Sequence, residues 1–189
     1  MAEITVKEYF EEEVPKVFEE QMATTQVAGM EGTVFTLQFD IVGDETQSYG
    51  LTIKDAKDLE VTAGTLEDAM IKVVLAEDVW RNAVTGQTEG AMDMFTDMGQ
   101  VASRQSYDSL QSTKGTVDIV LTMPDGSVAE TKMVLNGADT PQVTLKAALE
   151  DWIKMQSGEL PGPTAFMSGK LKLEGDMPFA MSLGNLMGG

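Results

Sequence analysis

Hydrophobic and polar residues alternate in two stretches of the chain, residues 33–42 and residues 116–123. Alternation with a period of two predicts β-strands that bury one face. A turn-forming pair, Gly43-Asp44 or Asp125-Gly126, follows each stretch and leads into a second alternating segment. The pattern therefore predicts two β-hairpins, one in each half of the chain.

Segments with helical spacing lie on both sides of these hairpins. Apolar residues recur every three or four positions over residues 3–24, where Pro15 is expected to kink or divide the helix. The same spacing returns over residues 77–85 and 146–157, around Trp80 and Trp152. Short strands are predicted at residues 60–63, 71–75, 142–145 and 169–175. A final apolar helix is expected after Asp176, whose side chain can cap it.

The two halves of the pattern resemble each other. Residues 32–34 and 115–117 both read Gly-Thr-Val, 83 positions apart. Further on, a tryptophan and two glycines of residues 80–90 match those of residues 152–162 at an offset of 72. Because the offset between the two copies falls from 83 to 72 residues, the second copy lacks about one strand. We interpret the similarity as an internal repeat; chance similarity of two hairpin–helix units is the alternative.

Composition and charge exclude several classes of function. The chain has 13 Lys and Arg against 31 Asp and Glu, a formal net charge of −18, which argues against binding to nucleic acid or anionic membranes. It has no Cys and no His, so thiolate nucleophiles, imidazole bases and the usual zinc ligands are missing. No apolar run approaches the roughly 20 residues of a membrane span. We expect a cytoplasmic protein without stable membrane insertion, metal or cofactor.

The end of the chain resembles the sterol carrier protein family, also called non-specific lipid-transfer proteins. The similarity is carried by Asp151-Trp152 and by residues 157–160, 165–177 and 180–183, with a second similarity in residues 35–43 and 49–55. The resemblance implies an α+β fold, with a mainly antiparallel sheet, five-stranded or extended, covered on one face by helices. It also implies an apolar tunnel for fatty acyl chains, fatty acyl-CoA or sterols, which the C-terminal helix helps to close.

The chain is longer than one such domain. We interpret residues 1–99 as an N-terminal helix and a first sterol-carrier-like unit without the closing strand, and residues 100–114 as a polar linker or helix. Residues 115–189 then form a second unit with a closing strand and a C-terminal helix. The two units can also form one continuous domain. An insertion of residues 96–145 into a single domain is the alternative.

Methionine is frequent, with 14 residues in 189, and its flexible thioether suits a wall that adapts to ligands of different shape. We therefore expect Met and aromatic side chains to contact the ligand, although each of them also fits an ordinary core position. The predicted ligand-binding residues are Met94, Phe95, Met98, Met133, Trp152, Phe166, Met167, Met177, Phe179, Met181, Leu183 and Leu186. No catalytic or metal-binding residue is predicted.

These observations predict a non-enzymatic protein that binds and transfers lipids or other hydrophobic small molecules. The alternative is an interaction module whose apolar groove receives a partner's helix or a second copy of the chain as a homodimer. An enzyme acting on lipid or acyl-CoA substrates is a third hypothesis, which the absence of His and Cys weakens.

Overall fold

The computed structural model describes residues 4–86 and 102–187, with side chains up to residue 184. The first half contains α1 (Val6–Glu8), a π-helical turn (Tyr9–Glu13), α2 (Val14–Thr24), β1 (Val34–Val42), β2 (Thr46–Lys54), β3 (Asp58–Ala63), β4 (Ile71–Ala76) and α3 (Glu77–Val84). The second half contains α4 (Arg104–Ser112), β5 (Gly115–Thr122), β6 (Val128–Leu135), β7 (Gln142–Ala148), α5 (Leu149–Gln156), α6 (Gly162–Met167), β8 (Leu171–Gly175) and α7 (Met177–Met187).

All eight described strands form a single mixed sheet in the order β3-β2-β1-β4-β6-β5-β7-β8. Strands β1 and β4 are parallel, as are β5 and β7, whereas the other neighbouring pairs are antiparallel. The expected α+β class is confirmed, but of the expected mainly antiparallel sheet, five-stranded or extended, the five-stranded form is wrong, because the sheet has eight strands and is mixed. The reason is the pairing of β4 with β6, which places Ile71 opposite Leu135 and joins the strands of both halves in one sheet.

The two faces of the sheet differ in polarity. Odd-numbered strand residues, such as Phe39, Val73 and Val117, are buried on one face. The opposite face carries ion pairs between neighbouring strands, among them Lys72 Nζ to Asp40 Oδ2 at 2.7 Å. A period of two produces this separation, because successive side chains of a strand point to opposite faces.

Helices from both ends of the chain cover the apolar face. The Phe10 ring of the π-helical turn stacks on Tyr49 of β2 at 4.8 Å and lies 5.2 Å from the ring of Phe39. In the second half, the Phe179 ring of α7 lies directly over Gly115 of β5. The helices thus pack against the same side of the sheet, as the resemblance implied.

The N-terminal helical segment differs from the expected kinked helix in its details. Thr5 and Glu8 form a capping box, in which Thr5 N–H donates to Glu8 Oε2 at 2.9 Å and Glu8 N–H donates to Thr5 Oγ1 at 3.1 Å. Pro15 lies in the first turn of α2, immediately after the π-helical turn. Since proline is tolerated in the first turn of a helix, the segment continues to Thr24.

Residues 104–112 form α4 and connect the two halves. The Tyr107 hydroxyl accepts a hydrogen bond from Val34 N–H and donates one to Val34 O, both at 3.3 Å. Asn136 Nδ2 donates to the carbonyl oxygens of Leu110 and Thr113 at 2.8 and 2.7 Å. Helix α4 is thereby fixed both to β1 and to the turn that follows β6.

Candidate functional site

Each half of the chain contains a helix that begins directly at the end of a strand. Helix α3 follows β4, which is parallel to β1, and helix α5 follows β7, which is parallel to β5. Trp80 and Trp152 are the fourth residues of these helices, and they are 0% and 2% exposed. In the described part of the chain, neither indole Nε1 has a hydrogen-bond partner, although both are buried.

Aromatic and charged side chains surround Trp80 in the first half. The Tyr9 ring meets the Trp80 ring edge-on, with centroids 5.6 Å apart. The Arg81 guanidinium lies 5.7 Å from the Trp80 ring centroid, and its Nη2 is 2.5 Å from Glu77 Oε1. Burial raises the pKa of the Tyr9 hydroxyl, so this phenol is neutral near pH 7.

Ion pairs hold the helix that carries Trp152. Lys170 Nζ lies 2.6 Å from Asp151 Oδ1, which ties α5 to the segment before β8. Lys154 Nζ lies 2.5 Å from Glu150 Oε1 on the same helix. Hydrogen bonding and charge attraction to Lys154 lower the pKa of Glu150, and the same two causes, acting from Glu150, raise the pKa of Lys154. The basic residues next to Trp152 are therefore already paired with carboxylates.

The C-terminal helix α7 is attached by two large side chains. Phe179 N–H donates to Asp176 Oδ1 at 2.8 Å, which confirms the predicted cap. Phe179 and Leu183, one helical turn apart, are buried. Met177 and Met181 of the same helix are 38% and 74% exposed. Helix α7 therefore presents one apolar side to the core and a second apolar side outward.

Helix α6 packs against β8, the strand at one edge of the sheet, and like α7 it has both buried and exposed apolar side chains. Its Ala165 is fully buried, whereas Phe166 and Met167 are 45% and 87% exposed. Both α6 and α7 pack against β8, the last strand of the sheet. Large apolar side chains are therefore exposed on two helices that contact one edge strand.

The structure places the predicted ligand-binding residues in three groups. Met133, Trp152, Phe179 and Leu183 belong to one buried apolar cluster. Phe166, Met167, Met177 and Met181 lie at the surface. Met94, Phe95 and Met98 lie outside the described residues, as does the side chain of Leu186. Contact of any of them with a ligand stays a prediction.

Trp80 is a residue that the sequence analysis did not assign to the site. Its match to Trp152 at an offset of 72 positions was the available signal, and the structure places both at the same position of equivalent helices. Among residues 4–86 and 102–187, no group of three or more acidic residues is arranged to hold a metal ion. No described helix has the length and apolarity to cross a membrane.

A family model and several known proteins are similar to the chain. The model of the SCP-2 sterol transfer family matches residues 95–188, which include α4 to α7 and strands β5 to β8. The chain is an SCP2-like protein. The SCP2-like segment thus contains Trp152, β8 and both helices that expose apolar side chains.

The curated relatives of this SCP2-like chain are longer proteins. Hydroxysteroid dehydrogenase-like protein 2 of Rattus norvegicus is 46% identical over 50 residues, which are 26% of this chain and 10% of the relative. The protein of the same name from Xenopus laevis is 26% identical over 179 residues, 93% of this chain and 34% of the relative. Peroxisomal multifunctional enzyme A of Dictyostelium discoideum is 42% identical over 53 residues, 28% of this chain and 12% of the relative. The chain spans about a tenth of the length of the first of these relatives.

Two solved structures show partial similarity to the SCP2-like chain. The sterol carrier protein domain 2 of Helicoverpa armigera is 24% identical and has a TM-score of 0.35, with 55% of this chain and 82% of that chain covered. The apo form of sterol carrier protein 2 from Yarrowia lipolytica is 20% identical and has a TM-score of 0.37, with 48% and 84% covered.

Proposed function

We propose that the SCP2-like chain binds and transfers hydrophobic ligands without catalysing a reaction. Fatty acyl chains, fatty acyl-CoA and sterol-like lipids are the ligands we expect. The observation that carries the proposal is the match of residues 95–188 to the SCP-2 sterol transfer family. The fold supports it, because one continuous apolar face of the sheet lies under helices from both ends of the chain.

The proposed binding region lies between the apolar face of the second half and helix α7. Phe179 and Leu183 are the large side chains that α7 buries among the residues with described side chains. Burying a Leu or Phe side chain contributes about 1.5–3 kcal/mol. Each methylene group of a ligand contributes about 0.8 kcal/mol when it leaves water. A long acyl chain can therefore offset the cost of opening α7, and both anchors pack against that chain once α7 closes over it.

The exposed side chains of α6 and α7 fit an entrance for such ligands. Met167 and Met181 have unbranched, polarizable side chains that adapt to differently shaped apolar surfaces. An acyl chain that leaves a membrane or another carrier can contact them before it reaches the buried anchors. Because the chain carries a net charge of −18, repulsion from anionic surfaces favours its release after delivery.

The proposal is tested by comparing two variants of α7. Leu183→Ala removes a buried anchor, whereas the matched control Met181→Ala removes an apolar side chain that is 74% exposed on the same helix. We expect the dissociation rate of a fluorescent fatty acid to rise by about tenfold or more in Leu183→Ala, because truncating a buried Leu costs about 2–5 kcal/mol. We expect a change of less than threefold in Met181→Ala.

The wild-type chain provides the first measurement. We expect it to take up the fluorescent fatty acid and to release an apolar molecule when native mass spectrometry is followed by denaturation. A folded chain that does neither would contradict the proposal. Equal dissociation rates in both variants would contradict the role of α7 as the wall that opens.

The exposed apolar side chains also favour a second candidate function, association of the chain with a copy of itself. Met167, Met181 and Phe166 lie on helices that contact the same edge strand. Exposed apolar surface of this kind is typical of protein interfaces. A dimer by light scattering that persists on dilution, together with no lipid uptake, would favour this candidate.

A further inference from the structure

The two buried tryptophans share a feature that packing alone does not explain. In the described residues, Trp80 Nε1 and Trp152 Nε1 are both buried without an acceptor. A buried N–H group without a partner is unfavourable, because it loses its hydrogen bond to water and gains nothing in return. A phenylalanine would fill much of the same space without this cost. Each half therefore contains one indole N–H for which the described residues supply no acceptor.

The positions of the two indoles are equivalent in the fold. Each tryptophan is the fourth residue of an eight-residue helix that begins directly after a strand. In both halves that strand lies parallel to the first strand of the hairpin. Both helices end before a glycine with a positive φ, 76° at Gly86 and 78° at Gly158. One unpaired donor could be a local accident of packing, but the same donor at the same place in both halves indicates a shared role.

The charges next to both indoles restrict the chemistry of the missing acceptor. Glu77 and Asp78 precede Trp80, and Glu150 and Asp151 precede Trp152. The basic residues of these helices, Arg81 and Lys154, are already paired with carboxylates of the same helix. Each helix carries two acidic residues against one basic residue, so a carboxylate or phosphate acceptor would add negative charge to a helix that is already net negative. A neutral oxygen, such as a hydroxyl or an ester carbonyl, satisfies the donor without that repulsion.

We propose that each half of the chain binds the polar end of one neutral amphiphile, whose oxygen accepts a hydrogen bond from Trp80 Nε1–H or Trp152 Nε1–H. The inference rests on the proposed function for the second half, specifies the ligand class, and adds a second binding region in the first half. The ligand is a molecule with a long apolar body and one uncharged oxygen, and one chain binds two of them. The apolar body packs against the buried face of the sheet, and the indole selects the polar end.

The wild-type chain offers a direct test, because it contains only two tryptophans. In a sample labelled with ¹⁵N-tryptophan, NMR shows one indole N–H signal for each of them, and the single variants Trp80→Phe and Trp152→Phe assign the two signals. The probes are dodecanol, dodecane and dodecanoate, which share the same chain length. We expect dodecanol to move both indole proton signals downfield and to slow their exchange with water. We expect dodecane to leave both signals near their positions in the free protein.

Affinities separate the hydrogen bond from packing. In Trp152→Phe we expect the affinity for dodecanol to fall about tenfold more than the affinity for dodecane, because only dodecanol loses a hydrogen-bond partner. A purely structural role would lower both affinities by the same factor. We expect titration of the wild-type chain to end at two dodecanol molecules per chain, and each single variant to fill one of its two sites only at about tenfold higher dodecanol concentrations.

The outcomes distinguish this inference from the proposed function. Binding of dodecane and dodecanol with equal indole shifts, or with none, overturns the inference and leaves lipid binding intact. Tighter binding of dodecanoate than of dodecanol overturns the choice of a neutral ligand. A shift of the Trp152 signal alone overturns the stoichiometry of two. Failure of all three probes to bind overturns the proposed function and the inference together.

Discussion

Gly115 is the position where a single added methyl group should disturb both the sheet and helix α7. It is the first residue of β5 and has a φ of 141°, in a region that side-chain-bearing residues rarely adopt. A Cβ atom built there would lie 2.5 Å from Pro141 O and 2.6 Å from Phe179 Cζ. The Phe179 ring can move, but the Pro141 carbonyl belongs to the backbone, and it accepts the N–H of Thr116 at 2.8 Å.

Two costs add in Gly115→Ala. A strained backbone conformation costs about 1–3 kcal/mol, and forcing an extra carbon into a packed site costs about 1–3 kcal/mol. We therefore expect the free energy of unfolding to fall by about 3 kcal/mol, which corresponds to a decrease in Tm of about 6–12 °C for a chain of this size. Gly126→Ala is the matched control, because Gly126 has a φ of 85° and no atom within 4 Å of the added Cβ. It should lose only about 1–2 kcal/mol.

Urea unfolding followed by tryptophan fluorescence measures both variants. A double-mutant cycle with Phe179→Ala then isolates the part of the cost that comes from the ring. We expect Gly115→Ala to be less destabilising in the Phe179→Ala background, because the nearest side-chain atoms are gone and only the contact with Pro141 O remains. If Gly115→Ala loses no more stability than Gly126→Ala, the close contact between β5 and α7 does not exist as described.

Two further predictions concern the first half of the chain. Burial raises the pKa of Asp40, but hydrogen bonds from Lys72, Ser48 and Gln38 outweigh burial, so the net pKa lies below the ordinary 3.8. The stabilisation from this carboxylate is full above the ordinary value and is lost as the pH falls through the lowered one. Tm measured from pH 6 to pH 2 should therefore fall less steeply in Asp40→Asn, and equal slopes would contradict the assignment. Separately, Phe10→Ala should cost about 3–5 kcal/mol in urea unfolding, since its buried ring stacks on Tyr49. The control Val17→Ala, at a position 38% exposed on the same helical segment, should stay within about 0.5 kcal/mol, and equal losses would refute the proposed packing.

The strands were predictable because their signal is local. Alternation in residues 33–42 and 116–123 marks β1 and β5 and separates most of their buried residues from their polar ones, although Gln38 and Thr116 are buried as well. The strand number was wrong because the pairing of β4 with β6 joins segments far apart in the chain. The alternation within a strand does not indicate which other strand pairs with it. The helix cap at Asp176 was predictable because it is local: its donor and acceptor lie only three residues apart in the sequence.

The candidate site was predictable only in part. Apolar composition selected Phe179 and Met181 equally, yet the first is buried and the second is 74% exposed. The difference depends on which side of α7 faces the sheet, and α7 is apolar on both sides. Trp80 and Trp152 could be matched by their spacing, but a missing hydrogen-bond partner is a property of the folded surroundings.

The pairing of β4 with β6 has a consequence for biosynthesis. Ribosomes add residues from the N-terminus, so Ile71–Ala76 is complete well before Val128–Leu135 exists. At about 5–20 residues per second, the edge of β4 that β6 later covers waits for roughly 3–10 s. Throughout that interval the nascent first half presents the backbone N–H and C=O groups of a hydrophobic strand to any other chain nearby. Slower translation beyond Ala76 lengthens this exposure, and mispairing at β4 is the error that the cell's holding chaperones would have to prevent.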